Sequence, residues 1–128
     1  MRLLLDTCAF LWSVDDVTAL SAVARSAIVA AENEVFVSAV SAWEIAIKQA
    51  RGRLILSEPA IRYVPKYREM HGFRELSLDE DSVLHVAQLP DAHKDPFDRM
   101  LICQAIAHGM VVVSPDPMFL RYPVRTIW

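Results

Sequence analysis

Glycine is scarce in this sequence, with only Gly52, Gly72 and Gly109 in 128 residues. So few flexible joints, beside 54% hydrophobic residues, exclude a disordered or linker-rich chain and point to one domain, residues 1–128, with a sizeable core. Cysteine is scarce too: Cys8 and Cys103 lack the spacing of a metal site or a disulfide framework. Both are expected to be reduced thiols, with a cytoplasmic location as the default. No apolar run approaches the roughly 18–20 residues that cross a bilayer, so no membrane partner is expected. MRLLLDT, with one Arg and an apolar run cut short by an acid, is not expected to act as a signal peptide. Internal repeats and low-complexity tracts are missing. So is net positive charge. The formal charge of −3 argues at first sight against nucleic acid. The distribution says otherwise: Lys48, Arg51, Arg53, Arg62, Lys66, Arg68 and Arg74 face only Glu58 and Glu69 within residues 48–74. That segment is either a solvated helical face or a surface for a polyanion.

What is present alternates between strand and helix. Leu3, Leu4 and Leu5 continue a strand over residues 2–5 that does not alternate and is therefore buried on both faces. Ala-rich Ser21–Ala31 predicts a helix, and VFVS at Val35–Ser38 a second strand. Ser41 is placed to cap a helix through AWEIAIKQAR, ending near Gly52. Pro59–Met70 is expected to be helical in part, kinked or split at Pro65. Arg74–Leu76 suggests a short strand, and SLDE at Ser77–Glu80 a capping box before a helix through Gln88. Pro96 or Phe97 opens a helix through His108 that stops at Gly109. MVVVS at Met110–Ser114 and Val124–Ile127 complete the strands, with a turn at Pro115–Leu120 between them. Strands separated by helices imply right-handed crossovers and an α/β fold: a mainly parallel sheet covered on both faces. Ligands of such sheets bind at the carboxyl ends of the strands.

Carboxylates gather where such an edge would present them: Asp6, Glu44, Asp95 with Asp98, and Asp116. Each has an ordinary explanation. Asp6 caps a following helix, Glu44 complements a helix dipole, Asp95 is an N-cap ahead of Pro96, and Asp116 is a turn residue. Together they repel one another, so either some carry protons or a cation sits among them. Oxygen donors without a Cys or His ligand pattern favour Mg²⁺ or Mn²⁺ over Zn²⁺. His71, His85, His93 and His108 share no ligand spacing and are expected at the surface or in loops, with His93, two residues before Asp95, left open as a residue that could face the site. Cys8 and Cys103 have no activating His arrangement and are expected to pack as small apolar side chains.

LLLDT, SAWEIAIK, DPFDRMLICQA and VVVSPD, in this order across the whole chain, resemble the PIN-domain ribonucleases. The likeness is greatest to VapC toxins of toxin–antitoxin pairs, in the branch carrying WEIAIK and DPFDR. It implies a three-layer α/β/α fold and a Mg²⁺- or Mn²⁺-dependent endoribonuclease hydrolysing RNA phosphodiesters. Position by position it makes Asp6, Glu44, Asp98 and Asp116 the catalytic and metal-site acids. Thr7 and Ser114 become supporting hydroxyls, and Asp95 an extra acid that is a second layer of the site or a cap. Pro115 and Pro117 depart from the pattern around Asp116. Lys48, Arg51 and Arg53 become the nearest candidates for RNA contacts.

The resemblance also implies a homodimer, for which Tyr63, Val64, Tyr67 and Phe73 offer an apolar surface. It further implies an antitoxin whose tail lies over the site. An Arg suits the acidic hollow, flanked by apolar residues beside the helix of Trp43 and Ile47.

Other chemistries fit less well. An aspartyl-phosphate phosphatase needs a second acid two residues after the first, where Cys8 stands. A receiver domain needs a Lys after its late strand, where Pro115 stands. A catalytically inert PIN-fold module binding RNA or protein has no physical reason to keep repelling acids together.

Overall fold

Leu3, Leu4 and Leu5 are completely buried because their strand lies at the centre of the sheet. The computed structural model describes residues 1–128. Its strands are β1 (Arg2–Leu5), β2 (Glu34–Ser38), β3 (Arg74–Leu76), β4 (Val111–Val113) and β5 (Thr126–Ile127). They form one sheet in the order β3-β2-β1-β4-β5, and every pairing is parallel. The crossovers are α1 (Thr7–Asp15) with α2 (Ala22–Val29), α3 (Ala39–Ala50) with α4 (Ala60–Met70), and α5 (Glu80–Leu84) with α6 (Pro96–His108).

Strand residues alternate between two cores. Leu3, Leu5, Val35, Val37, Val111 and Val113 pack with Phe10, Tyr63 and Val64 on one face. Leu4, Phe36 and Val112 pack with Leu101, Ile102 and Phe119 on the other. Apolar strands with helices on both sides give the expected three-layer α/β/α architecture. Gln104, fully buried on α6, fixes that helix against the sheet edge. Its amide accepts the Ser38 hydroxyl at 2.5 Å and donates to the Ser77 carbonyl at 3.2 Å.

Several expectations need correction. Helix α1 carries no amphipathic stripe and was foreshadowed only by Asp6 as a cap; Asp6 does accept the Ala9 N–H. The cap of α3 is Ser38 rather than Ser41, since the chain turns from strand to helix within one residue. Asp79, not Ser77, caps α5, which gives way to a 3₁₀ segment at His85–Gln88. Helix α4 runs through Pro65 unbroken, because Pro65 and Ile61, four residues back, both lie exposed, where water can meet the freed carbonyl. Tyr63, Val64 and Phe73 are core residues and Tyr67 is half-buried, so these four do not form the exposed apolar surface expected of them. No helix is long and apolar enough to cross a membrane.

Candidate metal centre

The sheet order reverses between β1 and β4, and the crevice beyond their carboxyl ends is where an open α/β sheet holds ligands. Asp6 follows β1 directly, its N–H donating to the Val113 carbonyl of β4 at 3.1 Å. One oxygen of its carboxylate caps α1 through the Ala9 N–H at 2.7 Å. The side chain is almost wholly buried, and burial pushes its carboxyl up to about 6, against the opposing pull of the Ser114 hydroxyl and the Ala9 amide; Glu44 and Asp116 add repulsion.

Glu44, also buried, is reached from α1 and from its own helix. The Thr7 hydroxyl lies 2.7 Å from Glu44 Oε1 and 3.0 Å from Ser41 Oγ. With a single proton, Thr7 donates to the carboxylate and accepts from Ser41. The other carboxylate oxygen takes the Lys48 ammonium one turn further along α3. That hydrogen bond raises the Lys48 ammonium above its ordinary value.

Asp98 stands in the first turn of α6. Desolvation lifts its carboxyl to about 7, opposed by the hydrogen bond from His93 and reinforced by Asp95, Asp6 and Glu44. Asp95 accepts the N–H groups of Phe97 at 2.8 Å and Asp98 at 3.2 Å, so it caps α6 and orients the turn that presents Asp98. Asp116 caps the 3₁₀ turn Pro117–Arg121 through the Met118 N–H at 2.9 Å. Ser114 Oγ in turn accepts the Asp116 N–H at 3.1 Å. The flanking prolines therefore leave Asp116 at the site.

Cys8, on the first turn of α1, is exposed rather than packed as expected, while Cys103 is buried. Desolvation, and then Asp6, Glu44 and Asp98, push the Cys8 thiol up to about 11, which disfavours a thiolate there.

His93 lies in the loop before α6, as expected, and from there it faces the site. His93 Nε2 lies 2.9 Å from Asp98 Oδ2 and 3.5 Å from Asp116 Oδ2. With those acids it forms a trio whose ligand atoms all lie within 4.8 Å of one another. No sequence spacing could reveal this, since the trio joins a loop, a helix start and a distant turn.

Against Asp6, Glu44, Asp98 and Asp116 stands one ammonium, Lys48, already engaged by Glu44. Four carboxylates outnumber the single imidazole of His93, a donor set that suits a hard divalent ion. The basic segment is less open than its composition suggests. Lys48, Lys66, Arg68 and Arg74 pair with Glu44, Glu58, Glu75 and Glu34 respectively. Arg51 and Arg53 remain exposed beyond the end of α3.

Fold and site together define an α/β protein with an acid-lined, metal-compatible crevice at its switch point. The chain belongs to the PIN domain family, whose model matches residues 3–124. It is 42% identical over 53 residues to ribonuclease VapC16 of Mycobacterium tuberculosis, a match covering 41% of this chain and 38% of that relative's length. Among solved structures it is similar to VapBC2 of Rickettsia felis bound to a promoter DNA fragment. There the TM-score is 0.72 at 12% identity, over 99% of this chain and 98% of the other. VapBC-1 of nontypeable Haemophilus influenzae gives 0.66 at 17% identity, over 99% and 97%. At these identities the structural likeness concerns the fold.

Proposed function

We propose that this chain is a Mg²⁺- or Mn²⁺-dependent endoribonuclease of the cytoplasm, the toxin of a toxin–antitoxin pair. The observation that carries the reading is the gathering of Asp6, Glu44, Asp98 and Asp116 in the switch-point crevice with too little positive charge to balance them. The ribonuclease relative and the VapBC neighbours support it.

Asp6, Glu44, Asp98 and Asp116 would hold the ion, whose chemistry when bound is to acidify water and offset charge on a phosphoryl oxygen. The chain itself prepares the acids. Thr7 and Lys48 fix Glu44, so its orientation is set before any ligand arrives. The Ala9 amide holds one oxygen of Asp6. Asp98, near neutrality, can hold a proton on its carboxyl and yield it when a cation takes its place. Arg51 and Arg53 on one side are suited to flanking phosphates. On the other side Lys94 lines a hollow of about 430 Å³ shared with His93 and Arg99.

A groove of about 480 Å³ between α3 and α4, lined by Ala42, Trp43, Ala46, Ile61, Val64 and Pro65, suits the apolar part of an antitoxin tail. Trp43 and Ile61 are 54% and 84% exposed there. The Trp43 ring meets Phe97 edge-on at 4.9 Å. Glu44 and Asp98 directly follow these two ring residues in the chain, and the reading is that the tail continues from the groove to the acids. An Arg following the tail's apolar residues would reach them. A homodimer, which the resemblance implies, needs a surface other than the buried Tyr63, Val64 and Phe73.

Asp98→Asn should lower Mg²⁺- or Mn²⁺-dependent RNA cleavage by more than about 100-fold, exceeding the loss typical of residues that only support a ligand. The test is cleavage of a mixed RNA substrate by matched, folded preparations, with and without chelator. Full activity in the variant, or cleavage indifferent to chelator, would reject this assignment. A wild-type chain that neither cleaves RNA nor gains thermal stability from Mg²⁺ or Mn²⁺ would favour the inert binding module.

A further inference from the structure

We propose that His93 is itself a metal ligand, completing with Asp98 and Asp116 a mixed nitrogen–oxygen position that favours Mn²⁺ over Mg²⁺. This rests on the metal-dependent reading of the site above. At metal–ligand distances near 2.1 Å, neighbouring donors on a six-coordinate ion lie roughly 3 Å apart and opposite ones a little over 4 Å. The separations of 2.9 and 3.5 Å from His93 Nε2 to the two carboxylate oxygens already fall in that range. The third side, between the two carboxylates, is no more than 4.8 Å.

The trio is also held together by its surroundings. Tyr122, buried at the end of the 3₁₀ turn that Asp116 caps, accepts the His93 backbone N–H at 2.7 Å. The same phenol oxygen receives Arg99 Nη1 at 3.2 Å, and that nitrogen also donates to the Pro90 carbonyl at 2.8 Å. Arg99 follows Asp98 on α6. The loop of His93, the start of α6 and the turn of Asp116 are therefore tied at one point, so the imidazole is placed rather than merely nearby. A histidine serving only to orient Asp98 would need one carboxylate in reach, but this nitrogen faces two.

A neutral imidazole nitrogen changes which ion is preferred. Mg²⁺ takes oxygen ligands and sheds its waters reluctantly, whereas Mn²⁺ accepts imidazole more readily. The carboxylates of Asp6 and Glu44 lie outside the trio and serve either ion alike.

The experiment uses the full chain with Mn²⁺ alone, read by pulsed electron paramagnetic resonance. The wild type should show ¹⁴N modulation from a bound imidazole, which changes to the ¹⁵N signature when histidine is ¹⁵N-labelled. His93→Gln should lose that modulation and bind Mn²⁺ about tenfold more weakly or worse, with a smaller change for Mg²⁺. Bound Mn²⁺ without histidine modulation in the wild type overturns the proposal, as does modulation that survives in His93→Gln. The wild-type measurement does not depend on how the variant folds. RNA cleavage by the same preparations separates the two claims. Cleavage without nitrogen coupling removes only the His93 ligand, whereas coupling without cleavage supports the ligand and removes the nuclease reading.

Discussion

Glu44 and Asp98 share one hollow but stand in different surroundings. Glu44 is buried with both oxygens engaged, one by the Thr7 hydroxyl and the other by the Lys48 ammonium. Asp98 is less buried, lies among Asp95, Asp6 and Glu44, and has an imidazole for its partner. Burial lifts its carboxyl to about 7. The first region carries its own counter-charge; the second leaves its charge for something else to balance. Rigid placement and cation response are thus assigned to different parts of one site. The compensated side fixes geometry, and the uncompensated side gives an arriving cation the larger energetic return.

This contrast is broken most strongly through pH. Without divalent ions, Asp6 at about 6 and Asp98 at about 7 keep protons in the folded state that the unfolded chain has already lost. The folded state binds more protons between about pH 4 and 7, so its stability is greatest at the acid end and falls as pH rises through that window. Asp6 alone contributes about 3 kcal/mol to this fall. Thermal unfolding in chelator should show wild type losing stability from pH 5 to 7.5 relative to Asp6→Asn, which lacks the titrating group. Parallel pH profiles for the two proteins would show that the Asp6 carboxyl is not held protonated. Divalent ions should act in the opposite sense, binding more tightly as the pH rises, because a ligand must first release its proton.

A smaller effect sharpens the other side. Lys48→Met leaves Glu44 buried without its ammonium, and Lys48 is half exposed, so the expected destabilisation in chelator is about 1–2 kcal/mol. Saturating Mg²⁺ or Mn²⁺ should recover much of it by supplying a replacement charge. Denaturant unfolding with and without the ion measures both quantities. An equal loss under the two conditions would mean that Lys48 packs rather than compensates.

The smallest expected effect separates two acids three residues apart. Asp95 caps α6, and Asn caps as well as Asp, so Asp95→Asn should change stability by less than about 0.5 kcal/mol and leave RNA cleavage near wild type. A cleavage loss approaching that of Asp98→Asn would place Asp95 among the groups that hold the ion.

The elements that were legible in the sequence are those specified by neighbours along the chain. Leu3–Leu5 announced a buried strand, Asp95 with Pro96 a helix start, and Gly109 its end, where the backbone turns left-handed at φ 66°. Asp6 and Asp116 stood out in the sequence because each follows a buried parallel strand at its carboxyl end, whereas Glu44, in the middle of α3, and Asp98, on a helix reached through a loop, were singled out by the resemblance. Other features needed the tertiary structure. Helix α1 has no stripe because it packs between the sheet and its neighbours, and Tyr63, Val64 and Phe73 are core rather than surface because α4, packing on β3 and its neighbours, encloses them. His93 became a candidate ligand only when the β4 crossover brought Asp116, 23 positions away, against the loop before α6. Caps, periodicity and proline act over a few residues and are written locally. Proximity between distant segments depends on strand order and crossover packing, which no single stretch of the chain contains.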